Sequence, residues 1–343
     1  MTSVVFSLDY EIYGSGAGSF KRLMLDPTAK LLKLFDKHGA KLTIMAEVAE
    51  ILALREHAEY SDTLAAIQDQ LRDAIANGHD VQLHTHPAWF DAKWEKAHWQ
   101  LNFEKYALTS YSRSEILYEL GRCKDFLEDL LTPVNSDYRC QAYRAGNWLL
   151  QPSKNIVSCL EELDFKIDSS VFKGGYGEVG DSILDYRNAH DELFPWTVDA
   201  LDITREADRQ GLSEYPIFCQ EVFITSMLTM RRLKLQYRLR KDSRRTTTQG
   251  EEQLGTGKSA TGVRWRFPKK FDFCRLSFRE MKSFVDKANR RALAMGNTNL
   301  PVVAIGHSTE YLHDGELERF LEYLSANQGL DSTTFGQICR DVS

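Results

Sequence analysis

No stretch of the 343-residue chain approaches the roughly 18 uncharged apolar residues that a spanning helix needs, so the chain is not expected to cross a membrane. The start, Met1-Thr2-Ser3-Val4-Val5, has neither the basic nor the apolar region of a secretory leader, and a cytoplasmic location is expected from it. The six cysteines (Cys123, Cys140, Cys159, Cys219, Cys274, Cys339) show no CxxC spacing. That argues against a structural zinc site or a disulfide framework and in favour of buried thiols. Positive charge is not in excess: 43 Lys and Arg face 49 Asp and Glu, a net charge of −6, so nucleic acid is not an expected partner. What is present, 43% hydrophobic and 27% charged residues, suits a globular chain that buries a sizeable core.

Val4-Val5-Phe6-Ser7-Leu8 is an apolar run of strand formers that stops at Asp9-Tyr10-Glu11. Asp26 before Pro27, then Leu31, Leu34, Phe35 and Gly39, predict a capped helix from Asp26. A strand follows at Lys41 to Met45, then a helix bearing Leu64, Ile67, Leu71 and Ile75, and a strand at Asp80 to His84. The alternation continues with a helix at about Ser114 to Leu131, a strand entering Arg144, a helix to Leu163 and a strand ending at Asp168. After a less regular stretch come a helix at Ser277 to Ala294, a last strand at Leu300 to Ile305 and a helix at Gly315 to Ser325. Such alternation implies parallel strands with crossover helices: an α/β fold, a distorted or incomplete parallel (β/α) barrel in one domain, 1–343. An insertion at about 225–270 is basic at first, with Arg231, Arg232, Lys234, Arg238, Arg240, Lys241, Arg244 and Arg245, then Thr/Gly/Gln-rich and expected to be mobile. Its basic part, 231–245, reads as a solvated helix face or as a contact for a membrane surface or an anionic glycan.

Asp9, His84, Arg144, Asp168 and His307 each fall at or just past the C-terminal end of a separate predicted strand. In a (β/α) barrel those ends converge on one face, where active sites lie. His84 and His86, two apart, point to one side of an extended backbone and can grip one divalent metal. Asp9 and Glu11, also two apart, can offer a metal ligand and a general base. Taken singly, each has a plainer reading: a loop histidine, a salt-bridged arginine, or a turn cap in Asp168-Ser169-Ser170.

In this order the residues resemble the NodB-like polysaccharide deacetylases, carbohydrate esterase family 4, over Ser7 to about Leu312. The matching blocks are Ser7-Leu8-Asp9-Tyr10-Glu11, Gly78 to Pro87 with its two histidines, Tyr143-Arg144-Ala145-Gly146-Asn147-Trp148, Asp168-Ser169-Ser170-Val171 and Ile305-Gly306-His307-Ser308. The resemblance implies a base at Asp9 held by Arg144, metal histidines at His84 and His86, and an acid at His307 paired with Asp168. It also implies a divalent metal, most simply zinc, and an N-acylated sugar or glycan as substrate, in a branch tied to surface polysaccharide biosynthesis. Two departures from the family pattern stand out. Tyr10 separates carboxylates that are usually adjacent, leaving Glu11 or Asp9 as the metal carboxylate, and Ala88 stands where the second histidine, four after the first, is usual. Trp89, Trp148 and Trp196 offer flat faces for sugar stacking or pack in the core. The competing readings are hydrolysis of a different C–N amide bond and a metal-free carbohydrate-binding or assembly protein, the latter favoured by Ala88.

Overall fold

The computed structural model describes residues 2–12, 14, 16–96, 98–179, 182–246, 265–296 and 299–342. Strand β1 (Thr2–Tyr10) is buried almost throughout. A π-helical turn, Lys21–Leu25, runs unbroken into α1 (Asp26–Lys37), so Asp26 continues a helical backbone begun a turn earlier and caps nothing. Strand β2 (Thr43–Glu47) passes directly into α2 (Val48–Arg55). The sequence pattern does not disclose α2, because the helix is buried on nearly every side and so carries no polar face. Helix α3 (Ser61–Ala76) leads to β3 (Asp80–Thr85), and a small hairpin, β4 (Lys93–Glu95) with β5 (His98–Gln100), follows. A capping box between Ser112 and Glu115 starts α4 (Arg113–Leu131).

Strand β6 (Ala142–Ala145), α5 (Lys154–Glu162) and β7 (Ile167–Asp168) complete the regular alternation. Short pieces come next: the hairpin β8 (Tyr176–Val179) with β9 (Ser182–Asp185), then β10 (Trp196–Thr197) and β11 (Ser213–Glu214). Strand β12 (Cys219–Phe223) pairs with β13 (Arg266–Lys270), and α6 (Met230–Thr246) lies between them. The Thr/Gly/Gln-rich half of the insertion, 247–264, lies outside the described residues. Last come α7 (Phe278–Ala294), β14 (Leu300–His307), α8 (Glu316–Ser325), β15 (Leu330–Thr333) and α9 (Phe335–Val342). The strand expected to be last is therefore followed by β15, whose Leu330-Asp331-Ser332-Thr333 carries too little apolar character to announce a strand.

The main sheet runs β10-β11-β7-β6-β3-β2-β1-β14, with β15 against the first half of β1, and only β10–β11 is antiparallel. Single-residue bridges from Ile217 to Val303 and from Asp272 to Ile305 carry the preceding irregular chain onto the free edge of β14. The sheet thus curls into the distorted parallel (β/α) barrel that the alternation predicts. Parallel register sets the strand ends level: Asp9 lies beside His307, and Glu47, His84 and Arg144 form one row. Under the sheet, Phe6 meets Phe35, Phe273 and Phe320 edge to face.

Part of the basic stretch is neither a solvated face nor a free patch. Arg231 grips Asp314 (2.8 and 3.1 Å) and the Cys274 carbonyl (2.8 Å), and Arg238 donates to the Thr309 and Tyr311 carbonyls, each at 2.8 Å. No described helix is long and apolar enough to cross a membrane, and all six cysteines are buried and free.

Candidate active site

The row of strand ends holds two adjoining groups of side chains. In the first, Glu11 Oε2 lies 3.2 Å from His84 Nε2 and 3.2 Å from His86 Nδ1. Glu47 Oε2 lies 2.7 Å from His86 Nδ1 and accepts the His86 backbone N–H at 2.6 Å. The ligand atoms of Glu11, Glu47, His84 and His86 all lie within 4.8 Å of one another. His84 Nδ1 lies 2.9 Å from the Arg144 carbonyl, which leaves Nε2 as the nitrogen that faces the cluster. Gly146 makes room for this arrangement, since a Cβ there would stand 2.6 Å from His86 Cδ2.

Two imidazoles and two carboxylates suit a divalent cation such as zinc. An observation of the side chains supports the fit: the second oxygen of fully buried Glu47, Oε1, has no hydrogen-bond partner among the described residues. Burial lowers the basicity of His84, but the charges of Asp9, Glu11 and Glu47 outweigh it and push the imidazole up to about 9. Burial would likewise raise Glu11, yet His86 and His84 hold it below its ordinary value. Glu47 lies two residues beyond Met45, where the sequence pattern ends the strand. Carried two residues further, the same strand-end criterion finds it.

In the second group, Asp9 Oδ1 accepts Arg144 Nη1 at 2.6 Å and Asp9 Oδ2 lies 3.4 Å from His307 Nε2. Arg144 is fully buried, and its remaining donors reach Ser7 Oγ (2.8 Å), the Ser169 carbonyl (2.8 Å) and Ser169 Oγ (3.2 Å). Burial would raise Asp9, but Arg144, His84 and His307 together hold it below its usual value. On its other side, His307 Nδ1 is 3.8 Å from Glu310 Oε2 and has no hydrogen-bond partner among the described residues. Arg275 clasps Glu310 through two nitrogens, and Asp272 completes this cluster.

Several expected partners stand elsewhere. Asp168 does not face His307: its oxygens accept the Ser170 N–H (2.9 Å) and hydroxyl (3.0 Å), and it shares a hydrogen bond with Glu214. Burial raises both Asp168 and Glu214, as two adjoining carboxyls in a dry site require, so the pair braces the ends of β7 and β11. Glu310 takes the place beside His307. It comes from a turn after β14, and no sequence spacing pointed to it.

Trp89 and Trp196 are each 3% exposed and belong to the core. Trp89 packs on Trp99, and Trp196 Nε1 donates to the Ile203 carbonyl. Trp148 alone of the three stands at the site, its ring centroid 6.2 Å from that of His307. It is held there by two successive left-handed residues, Asn147 (φ 53°) and Trp148 itself (φ 59°). Ala88 is buried in the turn Pro87–Trp89, and the fourth corner of the cluster comes from Glu47 on the neighbouring strand.

No protein-family model matches the sequence, and no curated protein matches it significantly. Solved structures share the fold. A Mycobacterium smegmatis protein assigned as a polysaccharide deacetylase is 14% identical with a TM-score of 0.51, over 99% of this chain and 90% of that one. A Pseudomonas aeruginosa PAO1 protein with the same assignment is 14% identical with a TM-score of 0.50, again over 99% and 90%. The 4-alpha-glucanotransferase of Thermococcus litoralis, 10% identical with a TM-score of 0.53, covers 99% of this chain but only 40% of its own. The barrel is therefore the one seen in proteins assigned as polysaccharide deacetylases, and it also carries other carbohydrate chemistry.

Proposed function

We propose, from that shared barrel and the groups gathered at its strand ends, that the chain is a metal-dependent hydrolase. On this reading it removes the N-acyl group, acetyl in the simplest case, of an amino sugar in a glycan or its precursor. One observation carries it: Asp9, bound by Arg144 on one oxygen, turns the other toward His307 at the edge of the two-histidine, two-carboxylate cluster. Glu11, Glu47, His84 and His86 would hold the ion, zinc by the donor set. When bound there, a divalent ion polarises an acyl oxygen and lowers the pKa of water.

The chain's own residues do the rest. Arg144 occupies Asp9 Oδ1 and holds the carboxyl ionised, so Oδ2 is the atom that takes a proton from attacking water. His307 faces the same cleft and donates from Nε2 to the amine nitrogen, which leaves poorly unless protonated. The Glu310 carboxylate lies 3.8 Å from Nδ1 on the far side of the ring, in the place that the resemblance assigned to Asp168. Trp148 flanks the acid as a wall for the sugar ring.

The test is acetate release from N-acetylated oligosaccharides by metal-loaded protein, beside His307→Ala. The variant should keep one equivalent of metal and lose about 10²- to 10⁴-fold in rate on the amide, with a smaller loss on an activated ester that needs no proton. Equal losses on both substrates would remove His307 as the acid. A protein that takes up no metal would favour the binding-protein reading.

A further inference from the structure

Residues two apart on a strand share a face, and in the β12–β13 ladder Cys219 pairs with Lys270 and Glu221 with Pro268. One face of this hairpin thus carries Cys219, Glu221, Pro268 and Lys270 together. The first three form part of a cleft of about 330 Å³ that Lys173, Arg187, Lys287 and Glu192 also line. That volume falls within the range of small-molecule sites.

The charges of the cleft do not balance. Its acids are already engaged, Glu192 with Arg291 at 2.6 Å and Glu221 with Arg266 at 3.2 Å, and Arg187 is held by Asp185. Lys173 donates only to the His190 carbonyl (3.2 Å), and neither it nor Lys287 or Lys270 has a carboxylate partner among the described residues. All three are half-buried. Lys270 is the most constrained, its Nζ lying 2.9 Å from the Trp148 ring centroid and 3.9 Å from that of Phe172.

Cation–π contact returns only part of the hydration that such an ammonium gives up. Burial accordingly lowers Lys270 to about 7, and the groups around it, Cys219, Arg275, Asp272 and Asp9, do not restore it. Lys270 also joins the cleft to the reaction centre. Its strand partner Cys219 lines the cleft, and its ring partner Trp148 lies beside His307.

We propose that this cleft is a subsite for an anionic group of the substrate, a phosphate or carboxylate carried by or next to the sugar whose N-acyl group meets His307. This rests on the deacylase reading for what happens at His307, but not for the binding itself. A substituent of that kind would give Lys173 and Lys287, which line the cleft, and Lys270, beside it on the same hairpin face, the charge-assisted partners that they lack. A neutral glycan would leave Lys270 buried on aromatic carbon with its cost unrelieved.

The experiment is calorimetric binding to the full-length protein of N-acetylglucosamine, N-acetylglucosamine 1-phosphate and the glucuronic acid–N-acetylglucosamine disaccharide. At least one charged ligand should bind about tenfold or more tightly than the neutral sugar, the order expected of one charge-assisted hydrogen bond. Which one does so separates a phosphorylated precursor from a uronate-bearing polymer. Lys270→Met and the double variant Lys173→Met/Lys287→Met should each lose about that factor for the charged ligand and leave the neutral sugar unchanged, while Lys270→Arg retains it. Equal affinity for charged and neutral ligands, or variants that bind the charged one as well as the parent does, would overturn the subsite. Acetate release is measured separately: charged ligands that bind as described but are never deacylated leave the subsite standing and sink the reaction.

Discussion

Glu47 shows how one residue can hold a site together. It accepts two contacts from His86, and its second oxygen, at full burial, has no hydrogen-bond partner among the described residues. Glu47→Gln removes the charge and keeps the shape, and should weaken zinc binding by about 10- to 100-fold in a competitive titration. Unchanged affinity would place Glu47 outside the ligand set. The protons on the histidines make a second prediction. With His84 raised to about 9, the metal-free site holds an imidazolium at neutral pH and must release that proton to take up metal. Affinity should therefore rise about tenfold per pH unit between pH 6 and 8, level off above about 9, and fall as pH falls. A flat profile would mean that His84 binds metal without displacing a proton.

At the scale of elements, α6 shows that charge in a sequence does not by itself mean exposure. Its basic run looks like a solvated face, yet Arg238 crosses to the two carbonyls of Thr309 and Tyr311, just past the strand that carries His307. That loop would otherwise leave both acceptors without these charged donors. Arg238→Ala should lower stability by about 1–3 kcal/mol, from lost charged hydrogen bonds and unsatisfied carbonyls, and should speed amide exchange in 308–313. Exchange unchanged there would show that α6 merely rests on the loop. The helices that the sequence reading found, α1, α3, α4, α5, α7 and α8, have apolar stripes at helical spacing. Two of those that it missed, α2 and β15, are respectively buried on nearly all sides and almost devoid of apolar residues.

For the molecule as a whole, the strand ends bring carboxylates and histidines far apart in the chain into one buried cluster, and a bound ion would tie β1, β2 and β3 together there. Zinc that binds only the folded chain should stabilise it by about 2.7 kcal/mol at a free concentration 100-fold above its dissociation constant. Chelation should therefore lower the melting temperature, and added zinc restore it, in calorimetry. A melting temperature indifferent to chelator would contradict a metal held by the native cluster.

Sequence alone determined the alternation of strands and helices, and with it the barrel and the face on which Asp9, His84, Arg144 and His307 lie. Period and punctuation are local properties, and parallel strands must present their C-terminal ends together. It also determined that His84 and His86 point one way, since that follows from backbone alternation within one strand. Tertiary structure decided the partners. Register across separate strands put Glu47 beside His84, and the turn after β14 set Glu310 near His307. The pairing of Asp168 with Glu214 took it away from His307, and dense packing drew Trp89 and Trp196 into the core while strained backbone left Trp148 beside His307. Such contacts join residues up to hundreds of positions apart, and no local pattern encodes which of several carboxylates will arrive at a given nitrogen.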